Sequence, residues 1–211
     1  MSITTHERPG VYSSYGASSL IRGSGGRKTV GLVAVNTKAT AKTVYTITSY
    51  EEAVTTFGSA GGQDMAELIR VILLNGAAAV AAVPIAASTD YEAGFAVLEG
   101  QENVSVVVCD STTQTDQQDL RDSVAAASAA RRGRVAVVGG AASETVTNLI
   151  SRAAALNSER VVLVAPGGTD EDGTALSGIT AAAAVAGAIA AQSGPALPLS
   201  GGGLAGLHGL S

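Results

Sequence analysis

The sequence is poor in the side chains that most catalytic and metal sites use. Its 211 residues include one cysteine, two histidines and no tryptophan, and aromatic residues make up only 3%. A single cysteine, Cys109, excludes an internal disulfide and a zinc cluster built on cysteines. We expect it to be a small buried apolar side chain at the end of a strand. The histidines, His6 and His208, lie in the terminal segments, so a hydrolytic triad would need one of them to fold back onto the body.

A basic surface and a long apolar span are also missing. The formal net charge is −5, which argues against a nucleic-acid partner, because such a partner requires a basic surface. The longest apolar stretch, 179–191, is too short and too rich in alanine to span a bilayer. The first ten residues do not resemble a signal peptide. We therefore expect no membrane partner and a protein that is made and kept in a cytoplasm.

What the sequence does contain is a regular alternation of strand and helix patterns from residue 29 onward. Apolar or β-branched runs predict strands at 29–35, 42–48, 78–85, 104–109, 134–138 and 160–165. Helical spacing predicts helices at 49–58, 63–75, 91–98, 116–131, 143–156 and 176–192. The first helix begins with a capping box, formed by Ser49 and Glu52. This alternation predicts an α/β fold with a mostly parallel sheet flanked by helices.

The chain divides into an arm, a body and a tail. Residues 1–28 are polar and rich in glycine, which predicts an extended N-terminal arm or linker. Residues 29–194 form the predicted core domain, and an alternative division makes 29–85 a partly separate N-terminal part. Residues 195–211 form a C-terminal tail whose leucines have no periodic context, so we expect these leucines to find their partner elsewhere. The alanine-rich helix at 176–192 is predicted to be a buried core helix, with packing against a neighbouring subunit as the alternative.

Candidate ligand sites are few, and each has a simpler explanation. The glycine-rich stretch 23–29 has the wrong spacing for a phosphate-binding loop and precedes a strand where that loop requires a helix. Gly139-Gly140 follows a strand, which is where open α/β sheets bind ligands, although a tight turn also needs glycine. The acids at 170–172 fit a solvated loop, and the arginines at 131, 132 and 134 fit contact with the end of a helix. We predict no catalytic residue, no metal ligand and no cofactor.

Short motifs distributed along the chain resemble one protein family. The segment ERPGVY at 7–12 is similar to the Pro-Gly-Val-Tyr opening of contractile phage tail sheath proteins. The strand at 29–35, Phe57-Gly58, and Asn75-Gly76 followed by a strand at 80–84 resemble later segments of that family in the same order. RVVLVAP at 160–166, the helix at 181–191 and the Pro-Leu tail resemble the end of its core domain. Each motif is weakly specific, but their order covers nearly the whole chain.

The resemblance implies a structural subunit and not an enzyme. Such a subunit polymerises into rings or a helical sheath around a tail tube, and the sheath contracts to drive injection. The implied partners are further copies of the chain, the tube protein, and the baseplate and tail terminator proteins. The implied location is the tail of a virion, with assembly in the host cytoplasm. Members of the family extend strands from their arms into neighbouring subunits. The predicted inter-subunit contacts are Pro9, Gly10, Val11, Tyr12, Leu204 and Leu207.

One departure and two alternatives stay open at this point. Sheath proteins normally continue beyond the Pro-Leu tail into a further domain, whereas this sequence stops at Ser211, so tube-contacting residues cannot be assigned. The first alternative is an α/β enzyme or ligand-binding domain with a site near Gly139-Gly140. The second is an oligomerising domain unrelated to phages. A phage tail and a related injection particle are not distinguished by these motifs.

Overall fold

The structure is a computed structural model that describes residues 28–142, 144–169, 173, 175–192, 203–207 and 209–210. The predicted arm, 1–28, therefore lies outside the described residues except for Lys28. The strands are β1 Thr29–Val35, β2 Tyr45–Ile47, β3 Ala79–Ile85, β4 Val104–Cys109, β5 Val135–Gly139, β6 Val161–Val164, β7 Gly168–Thr169, β8 Ala175–Leu176 and β9 Gly209–Leu210. The helices are α1 Tyr50–Phe57, α2 Met65–Leu74, α3 Tyr91–Glu99, α4 Gln114–Ala129, α5 Val146–Leu156 and α6 Gly178–Ala191.

Six strands form one mostly parallel sheet, which confirms the predicted α/β fold. Their order is β2-β3-β1-β4-β5-β6, and only β2 runs antiparallel to its neighbour. The chain first builds outward from β1 to β3, and it then crosses back to place β4 on the other side of β1. The strand order therefore reverses between β1 and β4. Residues 29–85 supply two central strands of this sheet and share its core with the rest of the described body.

Helices cover both faces of the sheet because the strands carry apolar side chains on both sides. On β1, Val30 and Leu32 point to the face covered by α2 and α6, whereas Val33 points to the face covered by α3 and α4. Helix α5 lies beside α4. In the described ranges, no helix is both long enough and apolar enough to cross a bilayer.

Helix α6 is a core helix, as the sequence predicts. Ala182, Ala183, Ala184 and Ala186 are all completely buried. At Gly187 a Cβ would lie only 2.8 Å from the Cβ of Asn75, so only glycine allows α6 to pack this closely against the end of α2. Small side chains thus bring the backbones of two helices together on one face of the sheet.

The predicted capping box of α1 is present, but the Glu52 side chain has a different donor from the one expected. The Ser49 hydroxyl accepts a hydrogen bond from the Glu52 N–H at 3.3 Å. The Glu52 carboxylate accepts from the N–H of Thr48 at 3.0 Å, one residue before the expected donor. The helix ends at Gly58, whose φ of 78° is a backbone conformation that favours glycine.

Some predicted boundaries differ from the structure. The predicted strand at 42–48 is reduced to β2, because Lys42 has a φ of 58° and its N–H donates to the Pro84 carbonyl. Helix α5 begins at Val146, three residues later than predicted, after Thr145 as its N-cap. The small antiparallel sheet β8-β7-β9 was not predicted. Its strand β7, Gly168–Thr169, comes directly before the predicted loop of acids at 170–172, which lies outside the described residues.

Candidate functional site

The place to look for a site in this fold is the carboxyl edge of the sheet between β1 and β4, where the strand order reverses. Asp110 comes directly after β4 and lies at this position. One oxygen of its carboxylate accepts a hydrogen bond from the Val35 N–H at 3.0 Å. The other oxygen accepts a hydrogen bond from the hydroxyl of Tyr91. The chain's own carboxylate therefore occupies the crevice in which related folds bind ligands.

Burial controls the protonation of the groups around this crevice. It raises the pKa of Asp110, although hydrogen bonds from Tyr91 and Val35 oppose the shift. Burial and the charge of Asp110 raise the pKa of Tyr91, so the phenol keeps its proton and donates. Burial also raises the pKa of the Cys109 thiol to about 12. Cys109 is completely buried, as the sequence predicts, and its thiol is held in the inert protonated form.

A second polar network continues along the same edge toward β5. The buried amide of Gln117 donates hydrogen bonds to the carbonyls of Ser111 at 3.1 Å and Gly139 at 2.8 Å. The amide oxygen of Gln117 accepts from Arg152 at 3.2 Å. Arg152 also forms an ion pair with Glu144 at 3.0 Å, and both side chains are only 9% exposed. These groups satisfy one another, which is what a structural network requires.

The turn at Gly139-Gly140 packs directly against the first residue of α6. A Cβ at Gly139 would overlap the backbone of Gly178, the first residue of α6. A Cβ at Gly178 would lie 2.6 Å from the Gly140 nitrogen. The backbones of the turn and of α6 thus approach so closely that glycine is needed on both sides. A ligand therefore does not fit between this turn and α6, which counts against the alternative of a ligand-binding site near these glycines.

The remaining candidates are a metal site and the arginine group near residue 132. Within the described ranges, no cluster of three or more histidine, cysteine, aspartate or glutamate side chains could hold a metal ion. Arg132 donates to the Glu99 carbonyl at 2.6 Å, and Arg134 donates to the Leu98 carbonyl at 2.7 Å. These arginines do contact a helix end, but the end is that of α3 and not that of the preceding helix α4.

The predicted inter-subunit residues fall into two groups. Pro9, Gly10, Val11 and Tyr12 lie outside the described residues, so their contacts stay a prediction. Leu204 and Leu207 are half-buried against the core cluster on the α2 and α6 face. The intervening Ala205 donates to the Asn75 side chain at 2.9 Å and accepts from it at 3.0 Å. Leu204 and Leu207 thus pack partly on the chain's own body, and their contact with a further copy stays a prediction.

An exposed apolar surface lies at the opposite end of the sheet from β2. Val146 and Ile150 are one turn apart on α5 and are 73% and 65% exposed. We call these two residues the edge patch. Strand β6 is the last strand of the sheet as described, so its outer backbone groups face away from the sheet. The sequence analysis did not predict this surface. Val146 and Ile150 were a usable signal, because they form an apolar i, i+4 pair on a helix whose inner face carries Leu156.

No protein-family model matches the chain, and no curated protein matches it. Solved structures do. The helical sheath of the anti-feeding prophage in the contracted state is 16% identical with a TM-score of 0.56, over 86% of this chain and 52% of the other. The sheath tail protein of Desulfitobacterium hafniense is 12% identical with a TM-score of 0.62, over 86% and 62%. That of Listeria innocua is 14% identical with a TM-score of 0.60, over 83% and 59%.

The chain thus spans between 52% and 62% of the length of these three proteins. Sequence identities of 12% to 16% support a common fold and nothing finer. The resemblance found in the sequence motifs is confirmed at this level: the described body has the fold of sheath tail proteins.

Proposed function

We propose that this chain is a structural subunit of a contractile tail sheath. The observation that carries the proposal is the match of 83% to 86% of the chain to sheath proteins, one of them in a helical assembly. The filled crevice at Asp110 and the filled turn at Gly139 support it, because the two positions where this fold would bind a ligand serve packing instead.

In this role the chain acts by assembly and not by catalysis. It polymerises with further copies of itself around a tail tube, and contraction of the sheath drives injection. The tube protein and the baseplate and tail terminator proteins are its other partners. The finished assembly is a phage tail or a related contractile injection system, assembled in the host cytoplasm. Contacts between copies are heterologous, so they propagate into rings or helices instead of closing as a dimer.

The edge patch is the surface on which we place one of these contacts, with a second copy as its occupant. Apolar side chains exposed beside an unpaired sheet edge are a recognised liability in monomers and are usually covered in assemblies. The helical assembly of a protein with the same fold supports a copy of this chain as the covering partner. Pro9, Gly10, Val11 and Tyr12, and the half-exposed sides of Leu204 and Leu207, are proposed as further contacts.

Electron microscopy of the purified full chain tests the proposal. We expect stacked rings or hollow cylinders. Ile150→Glu places a charge in the edge patch and should prevent assembly while leaving the free energy of unfolding unchanged to within about 0.5 kcal/mol. Leu74→Glu is the matched control, since Leu74 is 52% exposed on a helix outside the edge patch and should still assemble. A wild-type chain that stays a monodisperse monomer at every concentration would contradict the proposed function.

Removal of the N-terminal arm is a second test. A chain that begins at Lys28 keeps the hydrogen bond from the Lys28 N–H to the Ala190 carbonyl at 2.9 Å, so the body should stay folded. We expect a circular dichroism spectrum and a thermal midpoint close to those of the full chain, but no polymers. Polymers of unchanged length would show that residues 1–27 make no essential contact between copies.

A further inference from the structure

The tail segment 203–207 is held on the body at the end of α2. Leu204 and Leu207 are half-buried against the core cluster on the α2 and α6 face. Between them, a Cβ at Gly206 would lie 3.6 Å from the Val71 side chain, so the segment runs alongside α2. We call the surface at Val71 and Asn75 that the segment covers the tail site. The segment thus contacts the tail site as a short peptide with two apolar anchors, three residues apart.

The side chain of Asn75 recognises the backbone of the segment. Its Nδ2 donates to the Ala205 carbonyl at 3.0 Å, and its Oδ1 accepts from the Ala205 N–H at 2.9 Å. Nδ2 also donates to the Val71 carbonyl at 2.8 Å, which fixes the orientation of the carboxamide at the end of α2. A carboxamide offers the donor and the acceptor that this two-way pair requires, whereas a carboxylate offers acceptors alone. Asn75 therefore sets the register of the segment, and the two leucines supply the preference for its side chains.

The chain that connects α6 to the segment is longer than this arrangement requires. The end of α6 lies at the same turn as the tail site, because a Cβ at Gly76 would be 2.8 Å from the Cβ of Ala191. The neighbouring residue, Asn75, contacts Ala205. Both ends of the connection thus meet two adjacent residues, yet residues 193–202 lie between them. When extended, these residues span up to about 35 Å, which is about the diameter of a small domain and enough to reach an adjacent copy.

The contacts that hold the segment can form equally well between two copies. They join the segment to the body and do not depend on the path of the connection. Strand β9, which pairs with Gly168 and Thr169 of β7, moves with the segment. Exchange therefore keeps these contacts and changes the entropy of closing the connection, which makes exchange of an identical element a low-cost route to association. In an assembly, the tail site of a neighbour is present at a high effective concentration.

We propose that the tail site binds the segment 203–207 of a second copy when the chain assembles, in place of its own segment. A second copy is the occupant because its tail carries the sequence that the site already accepts, on a connection long enough to deliver it. The contact joins two different surfaces, so it is heterologous and continues from copy to copy. The inference rests on the proposed function, since it names one contact of the assembly.

Mixing two variants of the full chain tests the exchange. Asn75→Asp keeps an intact tail but loses the donor to Ala205, whereas Leu204→Asp/Leu207→Asp keeps an intact site but loses both anchors. We expect each variant to need a concentration about tenfold or more above that of wild type to polymerise, because one side of the contact is missing. Below that concentration, an equimolar mixture should form a 1:1 complex in sedimentation velocity. The tail of the first variant enters the site of the second, and growth then stops.

Leu74→Glu is the matched control for Asn75→Asp. It adds a carboxylate to the same helix end, so it reproduces any unfavourable interaction with the helix dipole. Leu74 is 52% exposed and lies outside the core cluster that the tail covers. We expect this variant to polymerise like wild type and to form no specific 1:1 complex with Leu204→Asp/Leu207→Asp beyond the one that wild type forms.

A labelled peptide of residues 201–211 tests the site itself by fluorescence anisotropy. It should bind Leu204→Asp/Leu207→Asp, whose site is empty, at least about tenfold more tightly than wild type, whose own tail competes. Adding Asn75→Asp to that variant should weaken binding by about tenfold or more. Asn148→Asp is the control for this step, because Asn148 is an exposed asparagine on α5 and its change should leave binding unaltered.

The outcomes separate the exchange from the proposed function. If the peptide binds but the mixture forms no complex, the tail stays on its own body and the exchange is overturned, while polymers of wild type would leave the proposed function standing. Absence of peptide binding overturns the tail site itself. A 1:1 complex from the mixture, with a wild type that never polymerises, would support the exchange and contradict the proposed function. Ala205→Pro removes the N–H that donates to Asn75 at an exposed residue, and it replaces the double variant if circular dichroism shows that variant to be unfolded.

Discussion

The Asp110 carboxylate accepts a hydrogen bond from the Val35 N–H at 3.0 Å and so joins the end of β4 to the end of β1. These are the two strands between which the strand order reverses. In open α/β folds that crevice is where ligands bind. Here a side chain of the protein closes it, and the Tyr91 hydroxyl holds the other oxygen of the same carboxylate. The crevice that binds ligands in many such folds is used here to join two strands of the sheet.

Replacing Asp110 by asparagine should change how stability depends on pH. Burial raises the pKa of Asp110 above its ordinary value of 3.8, so ionisation is less favourable in the folded chain than in the unfolded chain. The stability that depends on the protonated form is complete at pH values below 3.8 and is lost as the pH rises through the folded pKa. Asp110→Asn keeps an acceptor oxygen and cannot ionise. Its free energy of unfolding should therefore improve relative to wild type as the pH rises from about 3 to 7.

Urea unfolding at a series of pH values measures this effect. Asp122→Asn is the control with the opposite sign, because the hydrogen bond from Arg121 lowers the pKa of Asp122. Asp122 contributes stability above its unfolded pKa and loses it as the pH falls, so Asp122→Asn should lose ground to wild type as the pH rises. If the stability of Asp110→Asn relative to wild type does not change with pH, Asp110 ionises as easily in the folded chain as in the unfolded one, and the expected shift is absent.

Cys109 should be chemically silent in the native protein. Its side chain is completely buried, and burial raises the pKa of the thiol to about 12, so the reactive thiolate is scarce and inaccessible. We expect a disulfide reagent such as Ellman's reagent to react only through global unfolding, at a rate that rises with urea as the unfolded fraction rises. The same chain in concentrated guanidinium, where reaction should be immediate, is the control. Rapid reaction in native buffer would place Cys109 at an accessible position.

The central strands could be predicted from the sequence because the pattern that marks them lies within each strand. Thr29–Val35 and Val104–Cys109 are apolar on both faces, a pattern that a strand buried between helices requires and few other elements produce. The strands of the small sheet are only two residues long, and their pairing joins Gly168 to Leu210 across the chain. Such a pairing has no local pattern to read. Arg134 similarly finds its acceptors on α3, 36 residues away in the chain for Leu98.

The candidate sites show the same division. Gly139 could be read from sequence as a ligand-binding glycine or as a turn glycine, because both require the same residue. What decides between them is the backbone of Gly178, which is distant in sequence and close in space. The edge patch depends on which residues the fold leaves uncovered. Composition and periodicity do not contain that information.

Gly139→Ala should destabilise the body strongly. The added Cβ would overlap the backbone of Gly178, and backbone cannot move aside as a flexible side chain can. We expect a loss of about 3 kcal/mol or more in the free energy of unfolding. Gly133→Ala is the control, because a Cβ there would meet nothing within 4 Å. Equal stabilities of the two variants in urea would show that α6 does not press against the turn and would reopen that space for a ligand.

The buried ion pair between Arg152 and Glu144 yields the largest expected effect of a single polar substitution. Both side chains are 9% exposed, and Arg152 also donates to the Thr112 carbonyl at 2.7 Å. Glu144→Gln removes one charge and leaves the buried guanidinium uncompensated, which typically costs about 3–5 kcal/mol. Glu159→Gln is the control: that pair is 3.9 Å apart and largely solvated, so it should change stability by less than about 0.5 kcal/mol.

The same variant should flatten the acid limb of the stability profile. Burial on its own would raise the pKa of Glu144, but hydrogen bonds from Arg152 and from the Ala141 N–H outweigh it, and the pKa is lowered from 4.5. A lowered folded pKa means that the contribution is complete above 4.5 and is lost as the pH falls through the folded pKa. Wild type should therefore lose stability between about pH 5 and 3 more steeply than Glu144→Gln does in urea titrations. If both curves fall equally, the carboxylate gains nothing from Arg152, and the network at the carboxyl edge does not stabilise the fold through its charge.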